Sequence, residues 1–352
     1  MKVVEIPQSQ LRTPPQAGQK LSFGRIFSNR MFTMRHAQSK GWHDEQICKY
    51  ENFSISPAAF VFHYGQEIFE GLKAYRWSDG SIALFRPRDN FLRMNRSAER
   101  MCLPQFDVDY VLNALLELLR LEKDWVPSDS GASLYIRPAM IAVDPYVGLH
   151  PTEESLFYII CSPVGAYLSG ISSIMVETEY VRAVRGGIGT AKTGGNYAAS
   201  LYPTKLAAEK GYDQVLWLDG VEQRYVEEVG SMNIFFIYGD RVVTSQLNGS
   251  ILPGITRDSV LKVAKHWGLE TVEGKLDINE IIADVEAGKI TEVFGAGTAA
   301  VISPIGRLGY KGKDYTVGSG KSIGTLSQKF YDTITGIQYG RIPDEFGWIV
   351  KP

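Results

Sequence analysis

Apolar residues alternate with polar or aromatic neighbours at Leu72, Ala74, Ile82 and Leu84, on either side of Ser78-Asp79-Gly80. A period of two interrupted by that turn chemistry predicts a β-hairpin. The period then changes: Phe91, Met94, Ala98 and Met101 recur three or four apart, which predicts a helix with Asp89 as its N-cap and Arg93 in its first turns. A second, strongly periodic helix is predicted from Asp107 to Leu121. Farther along, the apolar strand Leu156 to Cys161 runs into Ser162-Pro163-Val164-Gly165 and then Ala166-Tyr167-Leu168-Ser169-Gly170, a composition suited to a linker. The reading is a first domain over 1–168, a linker over 169–176 and a second domain over 177–352. In the second domain Gln214 to Leu218, Arg224 to Glu228 and Asn233 to Tyr238 are short apolar runs separated by glycine-containing turns, a meander of antiparallel strands. Strands and helices mixed without regular β-α-β alternation predict an α+β architecture.

The length of 352 residues agrees with two domains, and 44% apolar with 22% charged residues is ordinary for a globular chain. A formal charge of -2, from 37 basic and 39 acidic residues, leaves no electrostatic footprint for nucleic acid or an anionic membrane. Small-molecule chemistry is the expectation. Cys48, Cys102 and Cys161 lie far apart, with no C-x-x-C or metal-finger spacing. The apolar runs fall short of the roughly 20 residues that span a bilayer, and the opening Met1-Lys2-Val3-Val4-Glu5-Ile6-Pro7 has neither a secretory apolar core nor a transit-peptide composition. These features predict a cytoplasmic protein with no membrane partner.

The most unusual stretch runs from Arg185 to Tyr197, where five glycines surround Lys192. Glycine at this density permits close backbone approach to a ligand, although a mobile surface loop with a solvated lysine has the same composition. Gly186 to Thr193 also reads G-x-x-x-x-A-K-T, one residue from a nucleotide P-loop, and Val215 to Asp219 resembles the acidic strand that would follow. Ala191 in place of the last loop glycine, and Gly194-Gly195-Asn196 where the phosphate-cradling helix should begin, speak against it.

A third reading makes Lys192 an imine-forming amine, which requires an anion site, an acid facing a ring nitrogen and a hydroxyl near a ring oxygen. Leu252-Pro253-Gly254-Ile255-Thr256 precedes a helical stretch with Asp258 early, Lys262, Lys265 and His266 late, and Gly268 as its stop. A helix start offers backbone N–H groups and the positive dipole end to a phosphate. Arg93 could add a charge-assisted contact. Glu227 and Glu228 end a predicted strand, so they point to opposite faces; one can meet the ring and the other turns to solvent. Tyr197, five residues past Lys192, is the candidate hydroxyl.

With these residues in view the chain resembles the fold-type IV pyridoxal-phosphate enzymes, and within them the branched-chain aminotransferases. The likeness is carried by Lys192-Thr193-Gly194-Gly195-Asn196-Tyr197, Phe69-Glu70-Gly71-Leu72-Lys73-Ala74, Ser133-Leu134-Tyr135-Ile136-Arg137-Pro138, Gln214-Val215-Leu216-Trp217-Leu218, Glu228-Val229-Gly230-Ser231-Met232-Asn233 and Phe294-Gly295-Ala296-Gly297-Thr298-Ala299. It implies a small N-terminal α/β domain, and a larger C-terminal domain with a mostly antiparallel pseudobarrel that carries Lys192. It implies Lys192 as the catalytic Schiff-base lysine, Glu228 on the pyridine nitrogen and Tyr197 on the ring oxygen. Arg93, Thr298 and the backbone of Ile255 and Thr256 would hold the phosphate, with Leu252 and Ser231 completing the cofactor's surroundings.

For the substrate the resemblance implies Phe27, Tyr64, Tyr135 and Tyr167 around the side chain, Arg137 nearby, and the Thr298-Ala299 backbone at the α-carboxylate. The implied reaction is ping-pong transamination between leucine, isoleucine or valine and 2-oxoglutarate, in at least a homodimer with residues shared near Gly148-Leu149. A D-amino-acid aminotransferase or an aminodeoxychorismate lyase would keep the lysine, acid and phosphate site but not this pocket. Ala300 and Ser303 stand where certain eukaryotic relatives have a C-x-x-C, so no thiol switch is possible there. Ser231 replaces a threonine of some relatives and keeps the hydroxyl.

Overall fold

The structure is a computed structural model that describes residues 1–166 and 170–352. The chain separates into two compact units. The first holds residues 1–166 with Ala191–Gly194 and Gly336–Pro352; the second holds 170–190 and Gly195–Thr335. The lysine segment therefore belongs with the first unit, whereas the sequence places it in the second domain. The cause is long-range hydrogen bonding: the Phe69 N–H donates to the Lys192 carbonyl at 3.0 Å, and the Lys192 N–H donates to Ser97 Oγ at 2.9 Å.

The first unit is built on a nine-stranded sheet whose centre is the long antiparallel pair Ser133–Ala142 and Glu154–Val164. Strand Leu72–Arg76 pairs with Ser133–Ala142 and forms the predicted hairpin with Ile82–Phe85, in the register Ala74 opposite Leu84. Two helices cover the sheet. Pro87–Arg100 buries Phe91, Met94 and Ala98, and Val108–Leu121 buries Val111, Leu115 and Leu118, all in one core with Phe32, Leu134 and Phe157. Asp107 caps the second helix, accepting from the N–H groups of Asp109 and Tyr110 at 2.9 and 3.0 Å. Asp89 is not the cap of the first. That helix begins at Pro87, whose missing N–H costs nothing at a first helical position, and Asp89 instead pairs with Arg86 at 2.6 Å.

Two stretches read as linker are strands. Ser162-Pro163-Val164 continues the strand Glu154–Val164, with Ser133 opposite Val164. Ser172–Val176 joins the second sheet, parallel to both Gln214–Leu218 and Val301–Tyr310, with Ile174 and Val176 buried. Its two serines disguised a period-two strand.

In the second unit the strands close on themselves. The order Val226–Val229, Gln214–Leu218, Ser172–Val176, Val301–Tyr310, Glu292–Gly297, Met232–Tyr238 returns to Val226–Val229, a mixed and mostly antiparallel barrel. Alternate side chains of Gln214–Leu218 go to different layers, as the strand period demands. Leu216 and Leu218 join the cluster that includes helix Ile278–Glu286, while Val215 and Trp217 pack on Ala207 of helix Gly194–Glu209. The predicted meander is present, with its middle strand at Val226–Val229 rather than 224–228. No helix among the described residues is long and apolar enough to cross a membrane.

Candidate active site

Lys192 lies two residues before helix Gly194–Glu209, with its Nζ 4.9 Å from the centre of the Phe69 ring. The glycines after it do not interrupt a helix; they start one. The nucleotide-loop reading fails on other grounds. Asp219, its candidate metal acid, spends its carboxylate on the backbone N–H groups of Val221, Glu222, Arg224 and Tyr225, at 2.7 to 3.2 Å.

Glu70, which has no role in the sequence reading, is fully buried beside the lysine. Arg93 grips it twice, through Nε at 2.7 Å and Nη2 at 2.8 Å, and Asn90 adds a third bond at 2.8 Å. Burial pushes the Glu70 carboxyl up, but Arg93, Lys192 and Asn90 outweigh it and hold the group below the ordinary carboxylate range. Arg93, expected at the phosphate, thus has its plane fixed by an acid. A guanidinium carries five N–H donors, of which this grip uses two. Glu67 accepts from the Gly194 N–H, and burial raises its carboxyl against the pull of that bond and of Arg137.

Tyr135 and Arg137 project from the same face of strand Ser133–Ala142, two residues apart. Arg137 Nη2 donates to the Tyr135 hydroxyl at 2.9 Å, and its guanidinium lies 4.6 Å from the Phe69 ring centre. Gly71 has no room for a side chain, because a Cβ there would strike the Tyr135 hydroxyl. Phe27 does not join this group: it stacks on Tyr50 at 4.9 Å, and the aromatic ring that meets Tyr135 is Phe23, at 4.8 Å. Tyr64 packs on Phe60 and is 44% exposed. Tyr167 lies outside the described residues.

In the second unit the strand Val226–Val229 carries Glu228, buried to 3% exposure. Arg182 Nε stands 2.7 Å from Glu228 Oε2, and Asn233 Nδ2 donates to Oε1 at 2.9 Å. The same Asn233 nitrogen donates to the Leu252 carbonyl at 3.0 Å, which ties the acid to the loop before helix Ile255–His266. That helix starts after Gly254 with no side-chain cap, and a Cβ on Gly254 would collide with Asn233 Oδ1. Tyr197, Glu228, Ser231 and Leu252 line one small cavity together with Arg182 and Asn196. Thr298 and Ala299 form the turn between the antiparallel strands Glu292–Gly297 and Val301–Tyr310. Arg182 and Asn233, like Glu70 and Phe23 in the first unit, are residues to which the sequence alone assigns no role. Asn233 ends the segment Glu228 to Asn233, but nothing in its spacing reveals a bond to a residue five positions earlier and another nineteen later.

Comparison with known proteins gives this arrangement a family. The model of amino-transferase class IV matches residues 67–308. "Branched-chain-amino-acid aminotransferase 2" of Bacillus subtilis (strain 168) is 49% identical over 353 aligned residues, covering 99% of this chain and 97% of that one. The branched-chain amino acid aminotransferase of Escherichia coli is similar in structure, with a TM-score of 0.74 at 28% identity over 87% of this chain and 96% of the other. The T.th. branched-chain amino acid aminotransferase complexed with N-(5'-phosphopyridoxyl)-L-glutamate gives 0.76 at 25% identity, over 92% and 98%. Matched by that family model over 67–308 and by a relative nearly end to end, the protein belongs to the class IV aminotransferases, in the branch of the branched-chain-amino-acid aminotransferases.

Proposed function

We propose that the chain transfers the amino group between leucine, isoleucine or valine and 2-oxoglutarate, giving the branched 2-oxo acids and L-glutamate in two half-reactions. The observation that carries the substrate reading is the Tyr135–Arg137–Phe69 group. Aromatic faces accept an apolar side chain, while the guanidinium among them can meet the distal carboxylate of glutamate.

The class IV aminotransferases are pyridoxal-phosphate enzymes, and the residues present fit that cofactor. The uncapped start of helix Ile255–His266, kept open by a glycine that admits no side chain, suits a phosphate. The buried, ion-paired Glu228 suits a protonated ring nitrogen. When bound, the cofactor supplies the electron sink that makes the substrate α-carbon acidic. Lys192 anchors it and moves the proton at that α-carbon. Glu228 holds a proton on the ring nitrogen, and Tyr197 donates to the ring oxygen. By the family resemblance, Arg93, Thr298 and the N–H groups of Ile255 and Thr256 would hold the phosphate, with Ser231 and Leu252 beside the cofactor. On the same resemblance the Thr298-Ala299 backbone would receive the substrate carboxylate and Tyr64 would border the side-chain pocket, where Phe23, the ring that meets Tyr135, takes the place expected of Phe27.

The working form we infer is a homodimer in the cytoplasm. Tyr146, Val147 and Leu149 are 47, 62 and 82% exposed on one loop, an apolar patch that a second copy would cover. The three unpaired thiols agree with a reducing compartment.

The test is spectroscopic. Purified protein should show the cofactor's visible band, and L-leucine should bleach it; Lys192→Ala should not respond. A protein that stays colourless with added pyridoxal phosphate would overturn the reading, and bleaching by D-alanine in place of L-leucine would move it to another branch of the family.

A further inference from the structure

Glu67 belongs to none of the segments that carry the family likeness. It opens the strand Glu67–Phe69, which pairs with Ser133–Ala142 in the register Glu67 opposite Ile141 and Phe69 opposite Ala139. Arg137 precedes Ala139 by two, so Glu67, Phe69 and Arg137 project from one face of the sheet. All three are half-buried and keep accessible surface, as does Lys192, whose Nζ lies 4.9 Å from the Phe69 ring centre. The groups facing the Glu67 carboxyl are Arg137, the Gly194 N–H at the end of the lysine segment, and Tyr158 on the strand Glu154–Val164. Burial first and Glu67 second push the Tyr158 hydroxyl above its ordinary value, so it stays protonated.

Burial raises the Glu67 carboxyl against the pull of the Gly194 N–H and of the Arg137 charge. A carboxyl so balanced takes up a proton when the pull of its cation weakens. Arg137 gives its only side-chain hydrogen bond among the described residues to a hydroxyl, that of Tyr135, rather than to an acid. An apolar substrate side chain beside Phe69 and Tyr135 would leave Glu67 and Arg137 to balance each other. The distal carboxylate of glutamate would set a second anion against the same guanidinium, and a like charge nearby disfavours the ionised form of a carboxyl.

We propose, on the reading that Arg137 receives the distal carboxylate of glutamate, that Glu67 is a specificity-determining residue: it takes up a proton when that carboxylate binds and stays ionised when an apolar side chain binds. The proton comes from solvent and returns to it when the acidic substrate leaves. One group of residues thereby accepts a charged and an uncharged side chain at the same net charge. Because binding raises the Glu67 carboxyl further, affinity for the acidic substrate is greatest in acid. It falls as pH rises between the free and bound values, by up to about tenfold per pH unit for one linked proton.

The test uses the protein loaded with pyridoxal phosphate and two acids that lack the reacting amino or oxo group. Glutarate carries a distal carboxylate; 4-methylvalerate ends in an apolar branch. Calorimetry in buffers of different ionisation enthalpy counts the protons exchanged on binding. Just above the pH at which free Glu67 titrates, glutarate should take up about one proton more than 4-methylvalerate, and its affinity alone should fall as pH rises. Glu67→Gln should remove the extra proton and flatten the pH dependence of glutarate binding. If that variant does not fold, difference infrared spectra of wild type supply the test. Isotope-labelled glutarate should bring up the carbonyl stretch of a protonated protein carboxyl, and 4-methylvalerate should not. Equal proton counts for the two acids, an extra proton that persists in Glu67→Gln, or no such carboxyl band with glutarate would overturn the proposal while leaving Arg137 at the distal carboxylate. Glutarate binding as tight in Arg137→Met as in wild type would overturn the reading of Arg137, and the proposal with it.

Discussion

Arg182 and Glu228 lie 46 positions apart in the chain and meet at 2.7 Å, both nearly buried, at 8 and 5% side-chain exposure. Removing one partner of such a pair strands the other's charge, whereas removing both charges does not. Arg182→Met should therefore cost about 3–5 kcal/mol in urea unfolding of the cofactor-free protein. Adding Glu228→Gln to it should recover a large part of that loss. Additive losses in the double variant would mean that the two side chains do not act as a pair.

Gly254 has an ordinary extended backbone, φ -69° and ψ 136°, so alanine is conformationally allowed there and any penalty comes from its Cβ meeting Asn233. Gly254→Ala should push Asn233 away from both Glu228 and the Leu252 carbonyl. We expect pyridoxal-phosphate affinity to fall by about tenfold, equivalent to roughly 1.4 kcal/mol, measured by cofactor titration of the stripped protein. Unchanged affinity would show that Asn233 can yield without disturbing the site.

The Glu70 carboxyl is held below its ordinary value of 4.5. Since its folded value is depressed, its contribution to stability is fully present above 4.5 and is lost as pH falls through the acid range below it. Unfolding free energy should therefore drop as pH falls below that value, and Glu70→Gln should flatten this part of the profile while lowering stability near neutrality. A variant profile parallel to wild type in acid would rule out Glu70 as the source.

Arg137 is the cation beside the Phe69 and Tyr135 rings, the group we propose for the substrate side chain. Arg137→Met keeps much of the apolar stem and removes the charge, so kcat/KM for glutamate should fall at least about tenfold further than kcat/KM for leucine. Equal losses for both substrates would assign Arg137 a structural role only.

Local pattern carried much of the architecture. The hairpin around Ser78-Asp79-Gly80, the helix capped by Asp107 and the meander after Gln214 were legible because period and turn chemistry are properties of neighbouring residues. Errors arose where tertiary pairing outweighed composition. Ser172–Val176 is a strand because two neighbours hydrogen-bond it, and the lysine segment joins the first unit because Phe69 and Ser97 bind its backbone.

The site divides the same way. Candidates for the lysine, the acid, the tyrosine and the helix start could be proposed from ordered motifs, since each proposal needs only a residue type on a local element. The sequence by itself thus determined the family, those elements whose period and turns are local, and the chemical groups available. Only the tertiary structure decided which groups touch: Arg93 on Glu70, Arg182 and Asn233 on Glu228, Phe23 rather than Phe27 on Tyr135, and Glu227 on Asn248 and Ser250 instead of in water. Those contacts join residues distant in the chain, and what fixes them is the packing and desolvation of the folded state, which no local periodicity encodes.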